Sequence, residues 1–221
     1  MRSRLYSLAA AAAFTLVAAP AFGQVTVGVA NSGNCLPWSC SGLLGLTDYQ
    51  QVYAATAFSG PMWIGSVRFF DTQNPGAVFS GQSFTVSFTT TASVTPSNIT
   101  NANMAANAAN SALFFSGILT GPATALIYGA AYYYDPSQGN LLLDVQTTGT
   151  QGDYSYLDLD QGGTSMGRAF NGYEGFEHNF GLVTQFDGAQ TVTPEPATIA
   201  LLGTGLLGIG VIRRRRRNKT A

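Results

Sequence analysis

Three groups of side chains in this sequence have types and spacings that could support chemistry. Gly163-Thr164-Ser165-Met166-Gly167 has the G-x-S-x-G form of a nucleophile elbow. There a strand-to-helix turn lifts a serine beside a histidine and an oxyanion hole. The one histidine is His178, and the residues following Ser165 are interrupted by glycine, so the helix that the elbow needs is not expected. A plain Gly/Ser loop explains the pattern more simply, and a hydrolase using Ser165 is the least favoured reading. The second group is Asp153, Asp158 and Asp160, with Asp144 near them in sequence, carboxylates of the kind that hold Ca²⁺. If the stretch alternates as a strand, Tyr154, Tyr156, Asp158 and Asp160 share one face, and Leu157 and Leu159 share the other. Core leucines would leave two tyrosines and two aspartates exposed, a face able to stack on a sugar and bond its hydroxyls. A solvated sheet face is the plainer reading and is preferred to both ligands. Calcium is the one cofactor raised, and no metal ligand set is assigned.

The third group is Cys35 and Cys40 in NCLPWSC. Their spacing can reach the ~5.5 Å Cα separation of a bridge, and a loop this short would stabilise by about 2 kcal/mol on the chain-entropy account. A local structural disulfide is favoured over a redox pair, which usually has two residues between its cysteines. Gly203-Thr204-Gly205-Leu206-Leu207-Gly208 matches the G-x-G-x-x-G fingerprint. It lacks the flanking strand and the acid about 20 residues on that a dinucleotide site needs. Its glycines read instead as small residues of an apolar helix.

The elements that must position these groups are short. Segments at Val25–Val29, Tyr49–Phe58, Met62–Phe70, Ser83–Thr91, Ala112–Thr120, Asp153–Asp160 and Gly181–Asp187 are apolar or alternating and bounded by Gly, Pro, Asn and Ser, as strands are. Ala123–Tyr134 and Gly139–Thr147 flank DPSQGN and read as a hairpin. Residues 93–111 are rich in Asn and Ala, giving a short helix after Ser97 or Thr100, or an ordered loop. Trp38, Trp63 and Tyr132 to Tyr134 are expected to pack rather than form a platform. Eight to ten strands at this spacing make the fold all-β, a single β-sandwich of jelly-roll or related topology.

Charge is distributed unevenly. The net charge of −1 hides a middle region with two arginines, Arg68 and Arg168, against ten of the eleven acids, a balance of about −8 that disfavours nucleic acid. Residues 1–23 carry Arg2 and Arg4, an apolar stretch from Leu5 to Ala19, and small residues before Gln24. They read as a secretory signal helix removed by signal peptidase. Residues 24–192 then form the ectodomain. The tail, 193–221, has Pro194-Glu195-Pro196, an apolar run from Ala197 to Ile212, and Arg213, Arg214, Arg215, Arg216 and Arg217. Sixteen residues make a helix of roughly 24 Å, which snorkelling arginines can extend to span a bilayer. The arginines would stay cytoplasmic and leave the preceding chain outside.

With those three parts in that order, the tail resembles the PEP-CTERM sorting signal, departing from it only in having Thr193 directly before the motif. The resemblance implies a bacterial envelope protein recognised by exosortase, a membrane-embedded transpeptidase that would cut near Pro194-Glu195-Pro196. It further implies a transient inner-membrane intermediate, then the cell surface or extracellular matrix, in association with exopolysaccharide or biofilm. The phrase YYYDPSQGNLLLDV, residues 132–145, is similar to stretches of other β-rich PEP-CTERM ectodomains, which lend no catalytic residue. The expectation is a non-enzymatic surface protein, with a carbohydrate-binding module as the alternative.

Overall fold

A computed structural model of the chain describes residues 23–40, 45–148, 155–172 and 175–188. The expected signal and tail helices, and Tyr154 and Asp153, lie outside them. All described residues belong to one compact unit that ends at Gly188.

The β-rich composition produces thirteen strands among the described residues. They are β1 (Gln24–Val27), β2 (Ser32–Asn34), β3 (Asp48–Tyr53), β4 (Met62–Phe69), β5 (Val78–Thr91), β6 (Ala112–Pro122), β7 (Ile127–Tyr134), β8 (Asn140–Thr148), β9 (Leu157–Gln161), β10 (Met166–Phe170), β11 (Gly175–His178), β12 (Phe180–Leu182) and β13 (Thr184–Gly188). The α-helix is a single turn, α1 (Met104–Asn107). No helix among the described residues is long and apolar enough to cross a membrane. The fold is all-β, with three antiparallel sheets in the orders β1-β13-β4-β7, β11-β10-β3-β8-β5-β6 and β12-β9-β2.

The first two sheets face each other in a sandwich-like arrangement. Alternation along β5 sends Phe84, Val86 and Phe88 inward, all fully buried, as a period-two pattern requires. Opposite them lie Ile64, Val67 and Phe69 of β4 and Phe186 of β13. Trp38 fills one end against Phe69, Phe79 and Phe84 at ring distances of 5.0, 5.7 and 5.1 Å. At the other end Phe186 meets Tyr53 and Phe58. The Cys35–Cys40 disulfide, with Cα atoms 5.4 Å apart, closes the loop that holds Trp38 in place.

Residues 93–111 are an ordered excursion over the outer face of the six-stranded sheet. It runs through a 3₁₀ turn at Asn101–Asn103 into α1, with Thr100 before it making no side-chain cap bond. Val94, Ile99 and Met104 pack on Val52, Leu142 and Ala169, a second small core. Asn140 donates to the Val94 carbonyl at 2.8 Å.

Several expectations need correcting. β7 and β8 are not a hairpin: β7 pairs with β4, while β8 pairs with β3 and β5. The Asp135 carboxylate caps the N–H of Ser137, and Gly139, at φ 138°, lets the chain pass close by the Thr91 carbonyl into the other sheet. Tyr49–Phe58 breaks after Tyr53 into a 3₁₀ turn. The last segment is two strands, β12 and β13, with Val183 between them as its N–H bonds to the Asp158 carbonyl. Strands β2, β10 and β11 carry too much Gly, Ser or charge to read as strands, and hold through pairing with neighbours.

A methyl on Gly167 of β10 would collide with the Pro96 carbonyl of the excursion. Gly167→Ala should therefore lower stability by about 1–3 kcal/mol in urea denaturation. It should also raise amide exchange in residues 94–107 while leaving that of β4 and β13 unchanged.

Candidate functional site

The excursion covers a polar cluster at the join of β3 and β8. In the antiparallel register Gln50 stands opposite Asp144, and Asp48 opposite Gln146. All four alternate with residues of the main core and so face outward; α1 lies over Gln50, while Asp48 is half-buried and Gln146 exposed. Gln50 Nε2 donates to Asp144 Oδ1 and to the Met104 carbonyl, both at 2.8 Å. Asn107 of α1 donates to Gln50 Oε1 at 3.2 Å, and Gln146 to Asp144 Oδ2 at 3.3 Å. The carboxyls of Asp48 and Asp144 are neighbours, and the buried Oδ1 of Asp48 has no hydrogen-bond partner.

Burial, reinforced by the negative charge of Asp144, pushes the Asp48 carboxyl up from its ordinary 3.8 to about 7. Asp144 is also raised by burial, while its bonds from Gln50 and Gln146 pull it back. Two carboxyls this close cannot both ionise cheaply, so the pair holds one proton between them near neutrality. Beside the cluster open two adjoining clefts of about 370 and 200 Å³ that share Ser93, Asn103 and Asn107. Their walls are hydroxyls, carboxamides and aliphatic groups, with Thr89, Thr90 and Thr91 along one side. They can hydrogen-bond a polar ligand, and no acid or base lines them.

The residues singled out by type and spacing are placed elsewhere. Ser165 leads into strand β10, so the strand-turn-helix of a nucleophile elbow does not form. The ring of His178 engages the Ile99 carbonyl through Nε2 at 3.0 Å. The exposed face on β9 is a correction: Asp158 and Asp160 are 1% and 7% exposed, buried as Leu157 and Leu159 are. The 71–76 turn and the segment after β1 cover this side, and the carboxylates serve them. Asp158 accepts from the N–H and hydroxyl of Thr72 and the N–H of Gln73, at 3.0, 2.6 and 2.9 Å. Asp160 accepts from the N–H of Val29 at 3.0 Å. Of that set only Tyr156 is seen exposed, and Tyr154 lies outside the described residues. Asp144 belongs to a different sheet from Asp158 and Asp160, and no group of three or more His, Cys, Asp or Glu able to hold a metal ion occurs among the described residues.

The aromatic residues also divide differently from expectation. Trp38 and Tyr134 are core, but Trp63 is 48% and Tyr133 50% exposed. Sequence reasoning also passed over Asp48 and Asp187. Asp48 precedes an alternating segment and looks like a turn residue until β3 is set against β8.

The chain thus joins an all-β domain to a C-terminal sorting signal. That signal is a PEP-CTERM protein-sorting motif: residues 192–217 match the family model of that description, covering Pro194-Glu195-Pro196 and the arginines through Arg217. The motif implies export, delivery to the cell surface, and exosortase as the processing partner. No curated protein and no solved structure matches the chain.

The carboxyl pair sets a pH dependence. The folded state binds its proton up to about pH 7, whereas the unfolded chain releases it near pH 4. Between those values the folded state holds more protons, so stability falls as pH rises. The urea midpoint should drop from pH 5 to pH 8. Asp48→Asn should flatten that slope and be the more stable protein at pH 8.

Proposed function

We propose that this is an exported bacterial protein of the cell surface or extracellular matrix. In this reading signal peptidase removes residues 1–23 and the 193–221 tail is a temporary inner-membrane handle. Exosortase then cuts near Pro194-Glu195-Pro196. The observation that carries the reading is the sorting-motif match over residues 192–217. The five arginines suit retention on the cytoplasmic side, and the acidic, lysine-free middle suits a domain that passes outward. Association with exopolysaccharide or biofilm follows from that destination and not from any catalytic arrangement.

The domain's role is binding or structure rather than catalysis. Two features support this: Ser165 stands at the start of a strand, and the ring of His178 is engaged by a backbone carbonyl. A carbohydrate-binding role is the second reading, favoured by aromatic rings left open to solvent on one sheet.

Mass spectrometry of the surface protein from cells with and without exosortase tests the sorting. The expected mature form begins at Gln24 and ends close to residue 195 only where exosortase is present; a wild-type form still ending at Ala221 would overturn it. Across a panel of ester and glycoside substrates, Ser165→Ala should match the unaltered protein, and a loss confined to that variant would restore the hydrolase.

A further inference from the structure

The four-stranded sheet has a solvent face that its own packing does not explain. Core residues fix its orientation: Val25 and Val27 of β1, Phe186 of β13, Ile64 and Val67 of β4, and Ile127 and Tyr134 of β7 all pack inward. The alternate residues therefore point away from the core. Two register shifts matter. One at Gly65, between Ile64 and Ser66, turns both Trp63 and Ser66 outward, though they are three residues apart. The other lies between Asp187 and Gly188.

At one end of this face Trp63 stands directly opposite Tyr133. Their rings are 5.1 Å apart, tilted by 55°, and about half exposed. Tyr128, opposite Ser66, is 69% exposed. In the same row Ser66 faces Asp187, and Asp187 faces Gln24. The Asp187 carboxylate accepts from Gln24 Nε2 at 2.9 Å, from Gln185 Nε2 at 2.9 Å, and from the Ser66 hydroxyl at 3.4 Å. Three strand spacings put Gln24 and Tyr128 roughly 14 Å apart.

This combination selects one kind of partner. Indole and phenol planes bury C–H surface, while the carboxylate of Asp187 and the carboxamide of Gln24 in one row offer both acceptors and donors. A pyranose has those two sides, an apolar face of axial C–H groups and a rim of hydroxyls. Charge narrows the choice. Arg68 and Arg168 are the only basic side chains between Leu5 and Ile212. Arg68 lies over the ring of Phe70 at 5.4 Å, and Arg168 is paired with Glu177. On this face Arg68 stands opposite Gln185, one pair along from Asp187, so the two charges balance and a phosphate- or uronate-rich polymer would meet no net positive charge. We infer that the Trp63–Tyr133–Asp187 face of the four-stranded sheet is a binding site for a neutral polysaccharide.

The inference rests on the surface reading only for where such a polymer would be met. Binding in vitro does not depend on sorting, so the two can fail separately. The test is affinity electrophoresis of the full chain in non-ionic detergent, in native gels containing dextran, mannan or hydroxyethyl cellulose, with alginate as the anionic control. At least one neutral polymer should retard the protein, and alginate should not. Trp63→Ala and Tyr133→Ala should each weaken the retardation at least tenfold in polymer concentration. Trp63→Phe, which keeps a ring, should retain most of it, and Tyr156→Ala, just before β9 and away from this sheet, should leave it unchanged. In the unaltered chain the same polymer should shift the emission of Trp63 to the blue, since the other tryptophan, Trp38, is buried. That measurement stands even if an alanine variant fails to fold. Retardation by none of the neutral polymers, or by alginate alone, would overturn the site. So would retardation that survives both alanine changes, or a Trp63-dependent self-association in sedimentation, which would make the face a contact between copies.

Discussion

Strand β8 has no solvent face from Leu141 to Val145, and the rest of the domain is arranged around that burial. Leu141, Leu143 and Val145 enter the core between the two larger sheets, while Leu142 and Asp144 point the other way. An exposed leucine on the outer side would be tolerable, but Leu142 stands opposite Val52, and with Ala169 of β10 they make an apolar strip on a sheet surface. The 93–111 excursion removes that strip from water. It does so with small side chains, since Gly167 and Ala169 leave room for a backbone that passes directly over β10. The Asn-rich composition serves the same end: Asn98 and Asn107 bond within and beneath the excursion, and Asn140 ties it to β8.

The same cover creates the domain's least comfortable spot. Asp144 is buried where the apolar strip ends, and Asp48 is half-buried beside it. The carboxamides of Gln50 and Gln146 donate to the Asp144 carboxylate, and a retained proton offsets the remainder. The pair is therefore better suited to an acidic exterior than to a neutral one. The buried aspartates of β9 solve their burial differently. Asp158 accepts three donors from a single turn, so its charge is met by oriented dipoles.

What could be read from the chain follows from how local each signal is. The tail motif is linear, and Pro194-Glu195-Pro196 with its apolar run and arginines was legible without a structure. Strand β4 was legible at Met62–Phe69 because its turns are marked by Pro61 and DTQNPG, and β5 because Phe84, Val86 and Phe88 alternate. Pairing was not. DPSQGN looks like a hairpin turn in isolation, and only the burial of both faces of β8 sends it between sheets. Asp158 and Asp160 looked solvated because alternation gives a residue's side of the strand and not what lies over that side. Trp63 was misjudged for the converse reason: a tryptophan is normally worth burying, and nothing local reveals that its face is left open.

The pairing of β1 with β13 has a consequence in time. Gln24 stands opposite Asp187, so the first strand finds its partner only in the last. A chain emerging from its N-terminus, from a ribosome or through a membrane pore, presents β1 more than 150 residues before that partner appears. Until then the four-stranded sheet lacks β13, the strand that joins β1 to β4, and Phe186, which links the two main sheets, is absent from the core. Contacts so distant in sequence must close a long loop before they yield any stability. Completion of the domain thus waits on its own C-terminal edge, and any truncation upstream of Thr184 leaves β1 without a sheet to join.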